Sequence, residues 1–317
     1  MAKPRWGIVS TIKAPLQDIQ NFCAHHLELG AHRIYLYLDD PDQDGVDSLK
    51  AHPALRVRLC TEQFWARRNR QRPKKHQNRQ VANAAHAYRR RIEVDWLIHI
   101  DADEFLWPQT PLHKQLAALP ADCLVARVRP SEALANPVPS ETTHFKRLTL
   151  KRPERDRQAA EIYPNFGAYL NGGFLSHVQG KLFYRTGVDG LKAKIHNVLL
   201  GDDMNPRQVE LSGTELLHMH AKSWPDFLAS FHFRLNSGSY RSELKALQGG
   251  LSMHQLFSSI YEDGGDDGLR KFYDEVCTAT PELLTRLRAH DLLSSHDLAL
   301  DEKRVLHFAH PHPPQHS

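Results

Sequence analysis

The stretch DWLIHIDADEFLW, at residues 95–107, joins an apolar run directly to a cluster of carboxylates. Residues 95–100 have the short, apolar character that is typical of a buried β-strand. Asp101, Asp103 and Glu104 follow at the end of that run. Ligands of open α/β sheets bind beyond the carboxyl ends of the strands. The stretch therefore predicts a strand that brings an acidic cluster to a binding site.

Strand and helix patterns alternate through the sequence before this stretch. Apolar residues at helical spacing run through residues 15–29, with Gly30 as a stop signal, and a second helix is predicted at residues 76–93. Predicted strands occupy residues 6–10, 32–38 and 55–59. This alternation predicts an α/β fold with a mostly parallel sheet flanked by helices. Asp39 and Asp40, which follow the second strand, would then lie at the same edge as the acidic cluster.

The sequence after residue 107 is harder to interpret. Strands are predicted at residues 124–128, 181–185 and 215–219. Residues 130–173 are rich in proline, asparagine and charge, and we interpret them as a long loop region with little regular structure. Helical spacing begins at Trp224, and the segment rich in histidine and proline from His307 is predicted to be disordered. These patterns predict a domain at 1–223, a helical extension at 224–306 and a tail at 307–317.

The composition is that of an ordinary globular chain with two local concentrations of positive charge. The 317 residues are 41% hydrophobic, which is enough for a core, and the formal net charge is +4. Basic residues concentrate at 67–79 and 146–157. Such runs are usually solvated faces, but they also suit an anion-binding rim for a nucleotide diphosphate or a nucleic acid.

Membrane and disulfide signals are weak. No apolar run approaches the roughly 20 residues of a membrane helix, and the first ten residues show no long apolar leader segment. The four cysteines are widely spaced, which argues against a disulfide framework or a zinc ribbon. These features predict a cytoplasmic protein with reduced thiols.

The acidic cluster needs a source of positive charge. Carboxylates concentrated at a strand end repel one another, and Mg²⁺ or Mn²⁺ is a common remedy because hard cations prefer oxygen ligands and bridge carboxylates to substrate phosphates. The plainer interpretation of Asp101, Asp103 and Glu104 is a solvated acidic loop. The apolar strand before them and the aromatic residues after them favour the metal.

The stretch DWLIHIDADEFL resembles the acidic-motif strand of GT-A glycosyltransferases, in particular the bacterial family 2-like group that is related to family 92-type enzymes. Residues 22–37 and the Gln80–Asn83 pattern are similar to segments of that group. So are Gly180, Lys181 and Arg185 with His196, and the HMHAKS segment at 218–223. The resemblance covers residues 6–240 at the level of motifs. It implies a GT-A-like nucleotide-sugar-binding and catalytic domain over 1–223.

The same resemblance implies a metal-dependent transfer of sugar from a nucleotide-diphosphate donor to an acceptor hydroxyl. The metal, Mn²⁺ or Mg²⁺, would be held by Asp101, Asp103 and His218, with His220 as a competing ligand. The implied donor-binding residues are Lys13, Asp39, Gln80, Asn83, Asp101, Lys181, His196 and Lys222. Two departures from the group's pattern are Ala14 and Pro15 after Lys13, in place of Asn and Glu, and Met219 in place of a tyrosine.

An inverting transferase also needs a base that deprotonates the acceptor. Glu132, which follows a predicted strand, is the candidate, and Asp189 and His177 are alternatives. The acceptor would be a glycan or another hydroxyl compound of surface polysaccharide or glycoconjugate synthesis, with peripheral membrane association through that acceptor. The sequence leaves the sugar, the acceptor and the oligomeric state open.

Two other functions compete with this one. Nucleotidyl or phosphoryl transfer also uses paired aspartates and a metal, but the sequence lacks the glycine-rich phosphate loops that such enzymes often carry. Nucleic-acid binding through the basic runs would need interleaved aromatic residues, and only Phe64, Trp65 and Phe145 lie beside them. No nucleic-acid partner is therefore expected.

Overall fold

The structure is a computed structural model that describes residues 3–69, 71–90, 92–236 and 252–309. Its strands are β1 (Trp6–Ile12), β2 (Arg33–Leu38), β3 (Leu55–Leu59), β4 (Trp96–His99), β5 (Glu104–Pro108), β6 (Val125–Ala133), β7 (Thr142–Lys146), β8 (Lys181–Arg185), β9 (Leu191–Ala193), β10 (Val198–Leu200), β11 (Asp203–Met204), β12 (Gln208–His218) and β13 (Leu293–Asp297). Its helices are α1 (Leu16–Glu28), α2 (Val46–Ala51), α3 (Glu62–Ala66), α4 (His76–Arg89), α5 (Leu112–Ala117), α6 (Arg152–Ile162), α7 (Trp224–Asn236), α8 (Met253–Val276), α9 (Pro281–Ala289) and α10 (Leu300–Phe308).

Four parallel strands form the part of the sheet that ends at the acidic cluster. Their order is β3-β2-β1-β4, and Ile8 of β1 is paired with Ile34 on one side and Ile98 on the other. These residues are fully buried, as expected for parallel strands that are covered on both faces. β8 and then β6 extend the sheet in antiparallel fashion. The prediction of a mixed α/β chain with a mostly parallel sheet flanked by helices is confirmed at this level.

The chain divides into two compact units, each built from separate segments. The first comprises the residues up to Pro130, residues 179–216 and the chain from Ala299 onward, and the second comprises residues 131–178 and 217–298. The predicted boundary at 223/224 therefore falls inside the second unit. The predicted helical extension also contains a strand, β13, which pairs with β7 in the second unit, and it supplies α10 to the first unit.

α10 belongs to the first unit because it packs along α1. The Lys303 ammonium lies 3.3 Å from Nδ1 of His25, and Arg304 donates to Asn21 at 3.1 Å. His307 lies 2.7 Å from a carboxylate oxygen of Glu28. The predicted disordered tail is therefore wrong for His307 and Phe308, which close this helix, and residues 310–317 lie outside the described chain.

The predicted long loop at residues 130–173 is wrong for much of its length. β6 continues to Ala133, β7 forms an antiparallel pair with it, and α6 occupies Arg152–Ile162. Helix α6 was not predicted from its sequence, RPERDRQAAEI. The apolar residues that it buries are Ala159 and Ile162. Two apolar contacts in eleven residues leave almost no periodic signal.

The predicted helical character after Trp224 is confirmed in α7, α8 and α9. Aromatic side chains of α7 and α8, among them Phe227, Phe257 and Phe272, lie in the core of the second unit, and α9 adds Leu283 and Leu287. Ser252 and Gln255 form a reciprocal capping box at the start of α8, which satisfies backbone N–H groups of the first turn. Within the described chain, no helix combines the length and the apolar character that a membrane crossing requires.

Candidate functional site

The acidic cluster forms a tight turn between β4 and β5. The backbone N–H of Glu104 donates to the carbonyl of Asp101 at 3.1 Å, and the N–H of Asp101 donates to Oε2 of Glu104 at 2.8 Å. The Glu104 side chain is almost completely buried. Glu104 therefore shapes the turn, and Asp101 and Asp103 are held in a fixed relation to the end of β4.

Lys181, the first residue of β8, lies against this turn with its side chain fully buried. Its ammonium is 2.7 Å from Oδ2 of Asp101 and 3.3 Å from Oε2 of Glu104. Burial by itself lowers the pKa of Lys181, but the two carboxylates raise it above its usual value, so the side chain is charged. A buried cation thus partly neutralises the acidic cluster from within the fold.

Helix α4 contributes a polar stripe at the edge where the parallel strands end. His76, Arg79, Gln80 and Asn83 share one face of the helix because they follow the spacing i, i+3, i+4, i+7. The Gln80 amide donates to Oδ1 of Asp101. The Asn83 amide donates to Oγ1 of Thr11, at the end of β1, at 3.1 Å. The helix therefore ties the acidic cluster to the end of a neighbouring strand.

Asp39, directly after β2, is enclosed by basic groups. Arg79 Nε lies 2.7 Å from its Oδ2, Arg72 donates to its Oδ1 at 2.9 Å, and His76 Nδ1 lies 3.4 Å from Oδ2. Burial raises the pKa of this carboxyl, but the bonds from His76, Arg72 and Arg79 outweigh it and lower the pKa to about 2. Asp39 therefore anchors the basic segment at 67–79 to the sheet; Arg70 of that segment lies outside the described residues.

The turn is supported from behind by two buried histidines of α1. His26 Nε2 accepts the backbone N–H of Leu106 at 3.2 Å, while its Nδ1 donates to the Phe22 carbonyl at 2.7 Å. His25 Nε2 donates to the Leu106 carbonyl at 2.9 Å. Both backbone groups of one β5 residue are thus bonded to α1, which fixes the strand that begins at Glu104.

The predicted metal ligands fit a divalent cation unequally. The two carboxylate oxygens of Asp101 accept from Gln80 and Lys181, and Asp103 has a half-buried carboxylate of the donor type that Mn²⁺ and Mg²⁺ prefer. His218 ends β12 in the second unit, with its ring centroid 5.2 Å from that of His220. Among the residues that the structure describes, no group of three or more His, Cys, Asp or Glu side chains is arranged to hold a metal ion.

The predicted base, Glu132, lies in the interior of the second unit. It accepts the backbone N–H groups of Leu175 and Ser176 at 3.1 and 2.8 Å, and the Lys146 ammonium is 3.1 Å away. Although burial raises its pKa, Lys146 and the neighbouring histidines lower the pKa to about 2. This environment favours a structural role. Of the alternatives, Asp189 is exposed in the first unit and His177 is exposed in the second.

The other predicted donor-binding residues are Lys13, His196 and Lys222. Lys13 is exposed and lies 3.4 Å from Asp40. The ring of His196 bonds the carbonyl of Gly180 at 2.9 Å, one residue before Lys181. Lys222 is exposed in the second unit. The structure thus brings Gln80, Asp101 and Lys181 into direct contact, with Asn83 on the same face of α4 as Gln80 and His196 bonded to the residue before Lys181.

Sequence reasoning missed the arginines that bind Asp39 and the buried histidine of β4. Arg72 and Arg79 were part of an undifferentiated basic run, although Arg79 precedes Gln80 on the polar stripe of α4, which was an available signal. His99 is 2% exposed, and neither of its ring nitrogens has a hydrogen-bond partner in the structure. Burial and the nearby Lys181 lower the pKa of His99 to about 3, so this ring is neutral.

Comparison with known proteins adds little to this geometry. The chain matches no family model and no curated protein sequence. Among solved structures, it is similar to the crystal structure of HddC from Yersinia pseudotuberculosis at 10% sequence identity, over 68% of this chain and 76% of that chain, with a TM-score of 0.29. A TM-score this low carries no argument about the function of this chain.

Proposed function

We propose that this chain is a GT-A-like glycosyltransferase that moves a sugar from a nucleotide-diphosphate sugar to an acceptor hydroxyl. The observation that carries the proposal is the contact of Gln80 and Lys181 with Asp101 at the carboxyl end of β4. These three residues come from separate motifs of the glycosyltransferase resemblance. Their contact supports the proposal because it holds an acidic turn at the carboxyl end of β4, and open α/β sheets bind ligands beyond the carboxyl ends of their strands.

The charges around this edge suit an anionic donor. Arg72, His76 and Arg79 lie at the end of β2, and the ends of β1, β2 and β4 are joined through α4. Cleavage of the sugar–phosphate bond places negative charge on the departing diphosphate. Mn²⁺ or Mg²⁺, held by Asp103 together with the diphosphate, would neutralise that charge. Fixed side chains such as Gln80 and Lys181 keep the turn in place while the donor binds.

The transfer is proposed to be inverting, with a base that takes the proton of the acceptor hydroxyl as the new bond forms. The candidate base from the sequence is Glu132, whose buried ion pair with Lys146 favours a structural role. The acceptor is proposed to be a glycan or another hydroxyl compound of surface polysaccharide or glycoconjugate synthesis. The reaction is proposed to take place in the cytoplasm, with peripheral membrane association through the acceptor.

A ligand panel tests the proposal on the purified full chain. Thermal unfolding is followed with UDP- and GDP-sugars plus Mn²⁺, with ATP plus Mn²⁺, and with a single-stranded oligonucleotide. We expect at least one nucleotide sugar to raise the melting temperature and to be slowly hydrolysed to the nucleoside diphosphate. Stabilisation by ATP or by the oligonucleotide alone would contradict the proposal.

Two matched variants test whether stabilisation by the nucleotide sugar depends on the acidic turn. Asp103→Asn removes one carboxylate charge from the turn and should abolish metal-dependent stabilisation by the sugar nucleotide. Asp47→Asn makes the same substitution on α2, where the side chain is fully exposed, and should behave like the unmodified chain. Equal stabilisation of both variants would remove the acidic turn from the proposed site.

A further inference from the structure

The Lys181 ammonium lies against the acidic turn and contacts two of its carboxylates. It contacts one oxygen of Asp101 and one of Glu104, and its side chain has no solvent exposure. Because β8 pairs with both β4 and β6, the backbone that carries Lys181 is held on both sides. The ammonium is therefore a fixed part of the turn and is unlike a surface lysine that swings into solvent.

Further bonds of Asp101 and Glu104 are also directed within the protein. Gln80 donates to the second oxygen of Asp101, and Oε2 of Glu104 accepts the Asp101 backbone N–H. Each of these contacts takes up part of the capacity of a carboxylate oxygen that a metal would also use. A divalent cation on Asp101 would stand within a few ångströms of the ammonium and be repelled by it.

We infer that Lys181 is the resident cation of the acidic turn, and that Asp101 and Glu104 are positioning residues and not ligands of a divalent metal. The sequence predicted that Asp101 binds the metal; we instead assign different roles to Asp101 and Asp103. Asp101 and Glu104 hold the turn through Lys181, and Asp103 is the carboxylate of the turn that binds the metal. This inference rests on the proposed function only for the identity of the donor that this metal serves.

Replacing Lys181 by an uncharged residue is expected to raise the affinity of the turn for a divalent metal. Removing the Lys181 charge leaves the buried carboxylate of Glu104 and the part-exposed carboxylate of Asp101 without their cation, which is unfavourable. A divalent metal can then supply the missing charge, so Lys181→Met should create a metal site at Asp101 and Glu104. If Lys181 only supported the fold, its replacement would lower the metal affinity or leave it unchanged.

Titration with Mn²⁺ alone, with free Mn²⁺ measured by electron paramagnetic resonance, tests this on the full chain without a donor. We expect Lys181→Met to bind Mn²⁺ about tenfold more tightly than the unmodified chain, on the scale of gaining a metal contact. Asp101→Asn, in an otherwise unmodified chain, should leave Mn²⁺ affinity within about twofold, well below that scale. Lys192→Met is the matched control, since Lys192 is exposed on β9.

Two results would overturn the inference. One is a loss of Mn²⁺ affinity in Asp101→Asn comparable to that in Asp103→Asn, which would make Asp101 a ligand. The other is Lys181→Met with unchanged or weaker Mn²⁺ binding. If Lys181→Met does not fold, the double variant Asp101→Asn/Lys181→Met replaces it, because it removes both charges of the pair. That variant should regain the fold and bind Mn²⁺ like the unmodified chain, whereas failure to fold would contradict the pairing.

The outcome is independent of the ligand panel that tests the proposed function. If no nucleotide sugar binds but Lys181→Met gains Mn²⁺ affinity, the glycosyltransferase proposal fails and the assignment of Lys181 stands. If a nucleotide sugar binds and Asp101→Asn loses Mn²⁺, the function stands and the assignment of Lys181 fails.

Discussion

Arg79 Nε lies 2.7 Å from Oδ2 of Asp39, so that the first turn of α4 is bonded to the end of β2. The Asp39 side chain is 1% exposed, and Arg72 and His76 also approach it. One carboxylate therefore holds most of the polar contacts that order the basic segment at 67–79. Removing the charge of Asp39 should lower the free energy of unfolding and make residues 67–79 more accessible to protease.

Asp39→Asn is expected to lower the free energy of unfolding by about 2 kcal/mol, because it leaves partly exposed arginines without their buried counter-charge. Trypsin should also cleave faster within residues 67–79. Urea unfolding and a proteolysis time course measure the two effects. Asp40→Asn, at the neighbouring and more exposed position beside Lys13, should change neither appreciably. Equal effects of the two substitutions would show that Asp39 is not the anchor.

The histidine pair behind the acidic turn predicts a loss of stability in mild acid. Burial lowers the pKa of His25 from 6.5 to about 4, so His25 takes up a proton when the chain unfolds between those pH values. Its stabilising contribution is complete above pH 6.5 and is lost as the pH falls toward 4. The slope for one such group approaches about 1.4 kcal/mol per pH unit.

Urea unfolding across this pH range measures the slope, and His25→Gln should reduce it. His177→Gln replaces an exposed histidine of the second unit and should leave the slope unchanged. A His25→Gln variant with the full pH dependence would mean that other groups, such as the neighbouring buried His26, account for it.

Glu132 and Lys146 are both completely buried and lie 3.1 Å apart, which predicts that neither charge tolerates removal alone. Lys146 also donates to the Gly173 and Val276 carbonyls, at 2.6 and 2.8 Å. Glu132→Gln should cost about 3–5 kcal/mol of unfolding free energy, and the double variant Glu132→Gln/Lys146→Met should recover part of it. If Glu132→Gln were as stable as the unmodified chain and lost turnover, the sequence prediction of a catalytic base would be right.

Gly180, directly before Lys181, occupies a position that only glycine fits. Its φ is +70°, and a Cβ there would collide with the Val128 carbonyl. Gly180→Ala should therefore destabilise the chain by about 2–4 kcal/mol and displace the lysine that follows. Gly187→Ala is the matched control, since its φ is +74° but a Cβ would meet nothing within 4 Å. It should cost only about 1 kcal/mol for the left-handed backbone. Thermal unfolding of the two variants compares these costs directly.

Much of the first unit could be predicted because its signals are local. The apolar spacing of α1, the short runs of β1, β2 and β3, and the KLFYR segment of β8 each carry their own pattern. β13 and α10 could not be predicted in this way. β13, with the sequence LSSHD, owes its structure to pairing with β7, and α10 has no buried residues of its own and depends on polar contacts with α1.

The candidate site could likewise be predicted from the sequence only in part. The acidic cluster and the Gln80 and Lys181 motifs could be found individually, and the contact among them follows from the order of β4 and β8 in the sheet. The position of Arg79 on the polar face of α4 was an available signal, but its pairing with Asp39, forty residues away, was not predictable because no sequence periodicity marks such a tertiary contact. The burial of Glu132 could not be predicted either, because its partner Lys146 lies on β7, which the sequence analysis interpreted as loop.

The packing of α10 against α1 has a consequence for synthesis on the ribosome. About 270 residues separate Glu28 from Leu300, and at roughly 5–20 residues per second their addition takes about 14–54 s. Throughout that interval the nascent α1 carries Asn21, His25 and Glu28 without the groups that will bond them. The first unit, although it contains the earliest strands to emerge, must wait for one of the last helices before its packing is complete. A chaperone that shields α1 would act on the nascent chain for tens of seconds.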